Sequence, residues 1–245
     1  MGFPEKFKLK MIGLFHGITG AVADFIYPPL CATCWRNLSR GEFYVCMRCW
    51  NTFERVVPTE TVIQSIEEKF LAEREIDKID SVFLFEQDPR VRAAIHLLKY
   101  NGAEKIADRL GICIAKKIVD DEKLSRGNVV VPVPLHHARR RERGYNQSEL
   151  ISRKIARELN IKHEPGLLER TRQTQTQTMF DAEGRKKNIA GAFAIREYFR
   201  DMIPGKNILL IDDVITTGST VKECAKVLKE NGAAEVYAVS AAITI

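Results

Sequence analysis

The sequence predicts an α/β protein, a mainly parallel sheet flanked by helices, with a small four-cysteine module ahead of it. Three observations lead there. The apolar runs VVVPVP, starting at Val129, and Ile208-Leu209-Leu210-Ile211 are continuous rather than alternating, which suits strands covered on both faces. Stretches with apolar residues at i, i+3, i+4 and i+7 are interspersed with these runs, as the flanking helices of such a sheet require. Cys31, Cys34, Cys46 and Cys49 stand as CATC and CMRC, separated by eleven residues.

The size and charge of the chain fit this picture. At 245 residues it has room for one sizeable α/β domain and a small module. A formal net charge of +6 and an isoelectric point near 9.0 favour anionic partners: phosphorylated metabolites, nucleic acid or an acidic membrane surface.

From Met1 to Gly20, Lys6, Lys8 and Lys10 precede a short apolar run, Met11 to Phe15, interrupted by His16. The run is too short to span a bilayer. With Ala21-Val22-Ala23 it has the loose outline of a secretory signal, but such signals carry a longer and cleaner apolar core. An amphipathic helix packed on its own protein is the favoured reading, and no transmembrane segment is expected elsewhere.

The four cysteines follow. Each C-x-x-C turn aims two thiolates at one ion, and two turns complete the tetrahedron that structural Zn²⁺ accepts. Two disulfides, an iron centre and a redox dithiol are the rival readings; a disulfide framework fits poorly with a long α/β chain that has no convincing signal. Trp35, Phe43, Tyr44 and Trp50 are expected to pack around the metal knuckles. The alternative is a nucleic-acid surface in which these rings stack bases beside Arg36, Arg40 and Arg48. Residues 1–57 are therefore assigned to the N-terminal helix and cysteine module, 58–80 to a connecting helical segment without recognisable chemistry, and 81–245 to the α/β domain.

Within that domain Ser81–Phe85 is expected as a strand. Asp88-Pro89 then starts a helix with Val91, Ala94, Ile95 and Leu98 on one face, ending near Tyr100-Asn101-Gly102. A second helix runs through Ile106, Leu110, Ile114 and Ile118. After the strand at 128–134 comes the most basic loop of the chain, His136 to Arg143, then a helix through Ile151, Ile155 and Leu159. Leu167–Arg170 and Ala192–Ile195 bracket a polar segment, TRQTQTQTMFDAEGRKKN, long enough to be a lid or binding loop. Arg170 at its edge and Arg172, Arg185 and Lys186 within it are candidates to close over a charged leaving group. The last strand is Val236–Ile243, after a helix stop at Asn231-Gly232. Cys113 and Cys224 fall on apolar helix faces and are expected in the core.

The stretch that organises the chain is ILLIDDVITTGST, Ile208 to Thr220. Its apolar strand is expected to stop at Asp212 and Asp213, at the carboxyl end where open α/β sheets place ligands. Thr216, Thr217, Gly218, Ser219 and Thr220 then turn into a helix through Val221, Cys224, Ala225 and Leu228. Amides at a helix start lack intrahelical partners and lie at its positive end, so this turn is suited to a dianionic phosphate, with Gly218 permitting close backbone approach. An ordinary helix cap is the simpler reading. Two adjacent acids weigh against it, because bare they would repel; facing sugar hydroxyls or a cation they make sense. Because neighbouring strand residues face opposite ways, only one acid should meet a ribose squarely unless the strand has ended by Asp212.

Those thirteen residues resemble the PRPP-binding signature of type I phosphoribosyltransferases. The whole order, with LLKYNG, VPVPLHHARRRERGYNQS, ERTRQTQTQT and GRKKNIAGAF, is similar to the ComF (ComFC) competence-associated family. The resemblance implies a type I phosphoribosyltransferase fold with a zinc-bearing N-terminal module, and Mg²⁺-dependent use of PRPP. It implies Asp212 and Asp213 as the acids contacting ribose hydroxyls and Mg²⁺. By the same resemblance Thr216 to Thr220 match the 5-phosphate cradle, and Val214 and Ile215 belong to the substrate-binding set. Arg139 and Arg143 fall in the pyrophosphate loop that begins at Leu135. Arg172 to Asn188 corresponds in order to the fold's flexible catalytic loop, which implies Arg172 as a catalytic residue. Lys99 and Tyr100, in LLKYNG, join the substrate-binding set, although a cation at a helix end already accounts for Lys99.

The resemblance further implies a role in natural transformation, handling incoming single-stranded DNA at the cytoplasmic side of the uptake machinery, peripheral to the inner membrane and with competence-machinery proteins as partners. A second reading stays open: a non-catalytic single-stranded DNA-binding or adaptor protein that keeps the fold.

Overall fold

The computed structural model describes residues 28–53, 55–57, 59–71, 75–100, 104–172 and 189–245. The expectations for Met1 to Ala23, for Asn101-Gly102 and for residues 173–188 lie outside these, as does the side chain of Tyr100.

Five parallel strands form one sheet in the order β1-β7-β6-β2-β3. They are β1 (Lys78–Leu84), β2 (Val129–Pro132), β3 (Lys162–His163), β6 (Asn207–Ile215) and β7 (Glu235–Ile243). A separate antiparallel pair joins β4 (Leu168–Arg170) to β5 (Phe193–Ile195). The continuous apolar runs are explained by cores on both faces of the sheet. Leu209 and Ile211 of β6 pack into one core, Ile208 and Leu210 into the other.

The first core takes the apolar faces of α3 (Pro89–Tyr100), α4 (Glu104–Val119) and α6 (Gln147–Leu159). Val91, Ala94, Ile95 and Leu98 are buried from α3, and Ile106, Leu110, Ile114 and Ile118 from α4, as their spacing requires. The second core takes α7 (Ser219–Glu230) through Val221, Cys224, Ala225 and Leu228, together with the β4-β5 pair. Cys224 is fully buried, whereas Cys113 is only half-buried.

The cysteine module shares the first core. Its helix α1 (Met47–Thr52) buries Cys49 and Trp50, and Trp50 and Phe53 carry an aromatic chain to Phe83 of β1, with centroids 5.0 and 5.7 Å apart. The 51–80 segment does more than connect. Arg55 pairs with Phe83 at the open edge of β1, after which α2 (Glu60–Ile66) and a π-helical turn, Glu67–Leu71, carry Ile66 and Phe70 into the second core.

Several boundaries differ from the sequence reading, β1 starting at Lys78 rather than Ser81 among them, and two of the differences bear on the site. Strand β6 does not stop at the acids. It continues to Ile215 because β7 keeps pairing with it, Asp212 against Ser240 and Ile215 against Ile243. The basic stretch after β2 is not a loop but a short helix, α5 (His137–Arg143). His136 caps it by accepting from the Ala138 amide, and Gly144 closes it at φ 82°, a left-handed geometry that favours glycine.

Candidate active site

The site forms at the carboxyl ends of β2 and β6, where α6 and α7 begin. Tyr145, Asn146 and Ser148 build its frame. The Tyr145 hydroxyl donates to the Leu98 carbonyl of α3 at 2.6 Å. Asn146 donates through Nδ2 to the Val133 carbonyl at 3.0 Å and caps α6 by accepting from the Ser148 amide. One short motif thereby fixes a helix start, a strand end and a neighbouring helix. Gln147, buried beside them, accepts from Arg143 at 3.3 Å, and its Nε2 has no partner among the described residues.

The two acids have different partners. Ser148 Oγ donates to Asp212 Oδ1 at 2.9 Å, while Asp213 faces Lys99 Nζ at 3.4 Å. Burial and the neighbouring Asp213 charge push the Asp212 carboxyl up to about 8, against the opposing bonds from Ser148 and the Asp213 amide. The strict alternation of faces ends here: Leu209, Ile211 and Val214 all pack toward the first core, and Ile215 toward the second.

The turn that follows is arranged for an anion. Gly218, at φ 75°, is the N-cap of α7 and makes no side-chain cap. Thr217 and Ser219 hydroxyls share a 3.0 Å bond. Among the described residues no hydrogen bond occupies the amides of Thr217, Gly218, Ser219 or Thr220. Four amides without a partner among the described residues stand at the head of a twelve-residue helix, beside two carboxylates, an arrangement suited to an anion. Gly218 has a further reason beyond ligand approach: a Cβ there would lie 2.5 Å from the Phe70 ring.

The arginines are distributed unevenly. Arg139 and Arg143 lie on α5, and the neighbouring Arg140 pairs with Glu149 at 3.1 Å. Arg170, read from sequence as one of the cations that close over a leaving group, is held in β4, half-buried with its guanidinium over the Phe193 ring. Burial and the nearby Arg139 charge lower its pKa, while Cys224 and Asp212 oppose that shift. Two guanidinium groups kept close together in a partly dehydrated place are suited to an anion. Arg172 lies just past β4, where its guanidinium donates to the Ala190 carbonyl at 2.6 Å and ties together the two sides of the 171–190 segment.

In the module, the four thiols lie within 4.8 Å of one another, with Cys31 and Cys49 sulfurs 3.9 Å apart and Cys34 and Cys46 sulfurs 3.7 Å apart. A tetrahedron with Zn–S bonds of ~2.3 Å has S–S edges of ~3.8 Å, so the residues fit a tetrathiolate metal. None of the cysteines is in a disulfide. The Cys46 amide donates to Cys31 Sγ at 3.3 Å, a bond that orients a thiolate ligand. Trp50 is buried as expected, but Trp35 and Phe43 are not packed around the knuckles. They are 67% and 50% exposed, because the left-handed backbone at Trp35 and at Tyr44 turns the knuckles outward. Lys105 stands over the Phe43 ring at 5.5 Å.

A cavity of about 1050 Å³ lies elsewhere, between α2, β1 and α4, and includes none of the expected site residues.

Comparison with known proteins agrees with this geometry. The family model "Phosphoribosyl transferase domain" matches residues 103–242, more than half of the chain. Competence protein F of Haemophilus influenzae is 37% identical over 46% of this chain and 49% of its own length. DNA utilization protein YhgH of Escherichia coli K12 is 34% identical over 60% of this chain and 65% of its own. The chain thus spans about half to two thirds of these relatives. Amidophosphoribosyltransferase of Pseudomonas aeruginosa is 30% identical over 55% of this chain and 24% of its own.

Proposed function

The chain belongs to the phosphoribosyl transferase domain family, and from that premise we propose that it binds PRPP with Mg²⁺ at the ends of β2 and β6 and acts in the handling of incoming DNA. The observation that carries the first part is the turn of free amides from Thr217 to Thr220 beside Asp212 and Asp213. The relatedness to Competence protein F and to YhgH supports the second.

In this reading Thr216 to Thr220 hold the 5-phosphate, with Val214 and Ile215 shaping the strand end beneath it. Asp212 and Asp213 face the ribose hydroxyls and hold Mg²⁺ directly or through water. Arg139, Arg143 and Arg170 receive the pyrophosphate, and Arg172 joins them from just past β4. Lys99, facing Asp213, completes the substrate-binding set with Tyr100 as its sequence neighbour. Mg²⁺, when bound, neutralises charge growing on the pyrophosphate oxygens. The C1–O bond breaks with its electron pair leaving on pyrophosphate, and a nucleophile takes the vacated position at C1. The arginines stabilise the departing charge, and the fixed amides resist displacement of the sugar.

Zn²⁺ in the four-cysteine site is part of the same proposal, as is the division into a module at 1–57, a connector at 58–80 and a catalytic domain at 81–245. A second role starts from the exposure of Trp35 and Phe43, which lie close in sequence to Arg36, Arg40 and Arg48: single-stranded DNA bases would stack on these rings. No helix of the described residues is long and apolar enough to cross a membrane. The proposed place of action is cytoplasmic, peripheral at the inner face, beside competence-machinery proteins.

The test is thermal unfolding of the metal-loaded protein with PRPP, with and without Mg²⁺. Saturation at a hundred times Kd stabilises by about 2.7 kcal/mol, several degrees of melting temperature. An unchanged melting temperature at millimolar PRPP and Mg²⁺ would sink the proposal.

A further inference from the structure

The connector between the cysteine module and the sheet reaches the phosphate turn. After Phe53, the Val56 amide donates to the Val82 carbonyl at 3.0 Å on the open edge of β1, so the chain crosses from the first core to the second around that edge. It ends with Phe70, 1% exposed, lying against Gly218 on the side where a side chain would grow. An added Cβ at Gly218 would meet Phe70 ring carbons at 2.5 and 2.8 Å.

Two further bonds hold the contact on either side of the ring. Lys69 Nζ donates to the Thr244 carbonyl at 2.8 Å, just beyond β7. Lys222 Nζ donates to the Lys69 carbonyl at 3.2 Å, while its own amide donates to Gly218 O at 2.9 Å. The first turn of α7 is therefore fastened to the connector by the Lys222 side chain and at the glycine that sets its direction. A turn whose amides are kept unpaired for a ligand lacks internal bonds to hold its shape, so its order must come from packing behind it.

We propose that Phe70 is a positioning residue for the phosphate turn: its ring holds Gly218 in the left-handed geometry that aims the amides of Thr217 to Thr220 at one anion. This rests on reading that turn as the 5-phosphate site. Phe70 touches no substrate in this account. It makes the connector part of the binding site and gives the N-terminal module a physical route to it.

The test measures binding of ribose 5-phosphate, PRPP and inorganic pyrophosphate to the full chain and to Phe70→Ala, Phe70→Leu and Ile66→Ala. Ile66 is buried in the same core, and the atoms nearest Gly218 all belong to Phe70. Phe70→Ala should weaken ribose 5-phosphate and PRPP roughly tenfold, a loss of about 1.4 kcal/mol, and leave pyrophosphate binding unchanged. Phe70→Leu should recover part of that loss, and Ile66→Ala should lower the melting temperature without touching affinity. Hydrogen exchange at residues 216–221 should quicken in Phe70→Ala and, less, in Phe70→Leu. If the intact protein fails to bind ribose 5-phosphate, the reading of the site falls and this inference with it. If the intact protein binds and both Phe70 variants bind equally well, or if pyrophosphate weakens in parallel, this inference alone falls.

Discussion

Lys99, in the last turn of α3, points its ammonium at Asp213 in β6, 3.4 Å from the carboxylate. The pair joins the helix after β1 to the strand that carries both acids. Only part of each side chain is exposed, so solvent screens the attraction incompletely. In a double-mutant cycle of Lys99→Met and Asp213→Asn, melting at pH 7 should give a coupling of about 1 kcal/mol. Saturating Mg²⁺ and PRPP should reduce it, because the ligand replaces the lysine as the partner of Asp213. Additive effects in the unliganded protein would show that the pair carries no energy.

Asp212 sets a pH dependence. Its carboxyl is held near 8 in the folded protein by burial and by Asp213, above the usual range near 4 in the unfolded chain. The folded state then binds more protons than the unfolded one across that window. Stability is fully present below pH 4 as regards this group, and is lost as pH rises to about 8, where the loss levels off. Asp212→Asn should flatten this slope and raise the melting temperature at pH 8. Binding of Mg²⁺ favours the ionised carboxylate, so affinity for Mg²⁺ with PRPP should rise between pH 6 and 8. A slope unchanged in Asp212→Asn assigns the dependence to another group.

The cysteine site should hold one Zn²⁺ per chain by elemental analysis. Cys46→Ser, or a strong chelator, should release it and shift Trp50 fluorescence, since Cys49 and Trp50 share the buried side of α1. The module would loosen while the far-ultraviolet dichroism of the sheet domain persists. Retention of structure and fluorescence after complete metal loss would remove the structural role of the ion.

The exposed rings make a separate prediction. Trp35→Ala and Phe43→Ala should each weaken binding of a short single-stranded oligonucleotide by about 1–3 kcal/mol and leave the salt dependence nearly unchanged. Charge-reversing changes at Arg40 and Arg48 should reduce the salt slope instead. If the rings can be removed without effect, the module is not the DNA surface.

Much of this site was legible in the chain. The run Ile208–Ile211, the adjacent acids and the turn into Val221, Cys224, Ala225 and Leu228 announce a buried strand meeting a helix, since both periodicities are local. Where β6 ends was not legible, because that depends on β7 pairing through Ile215. The short helix at His137–Arg143 was hidden by its charge run, which reads as a solvated loop until the His136 cap and Gly144 stop are recognised. Ser148 reaches Asp212 from a distant part of the chain, and no local pattern encodes that. The same holds for Phe70: its partner is a glycine, which leaves no side-chain signal to pair with it. Trp35 and Phe43 were misjudged because aromatic residues beside metal knuckles are usually packed, and only the left-handed backbone at Trp35 and Tyr44 turns them outward.

The most direct test is calorimetric titration of the zinc-loaded protein with PRPP, with and without Mg²⁺, alongside Asp213→Asn. The account predicts magnesium-dependent binding that weakens at least about tenfold in the variant, a loss of roughly 1.4 kcal/mol or more, while the unliganded protein stays folded with its melting temperature lowered by no more than the few degrees that losing the Lys99 pair costs. PRPP binding that is indifferent both to Mg²⁺ and to Asp213→Asn would contradict it.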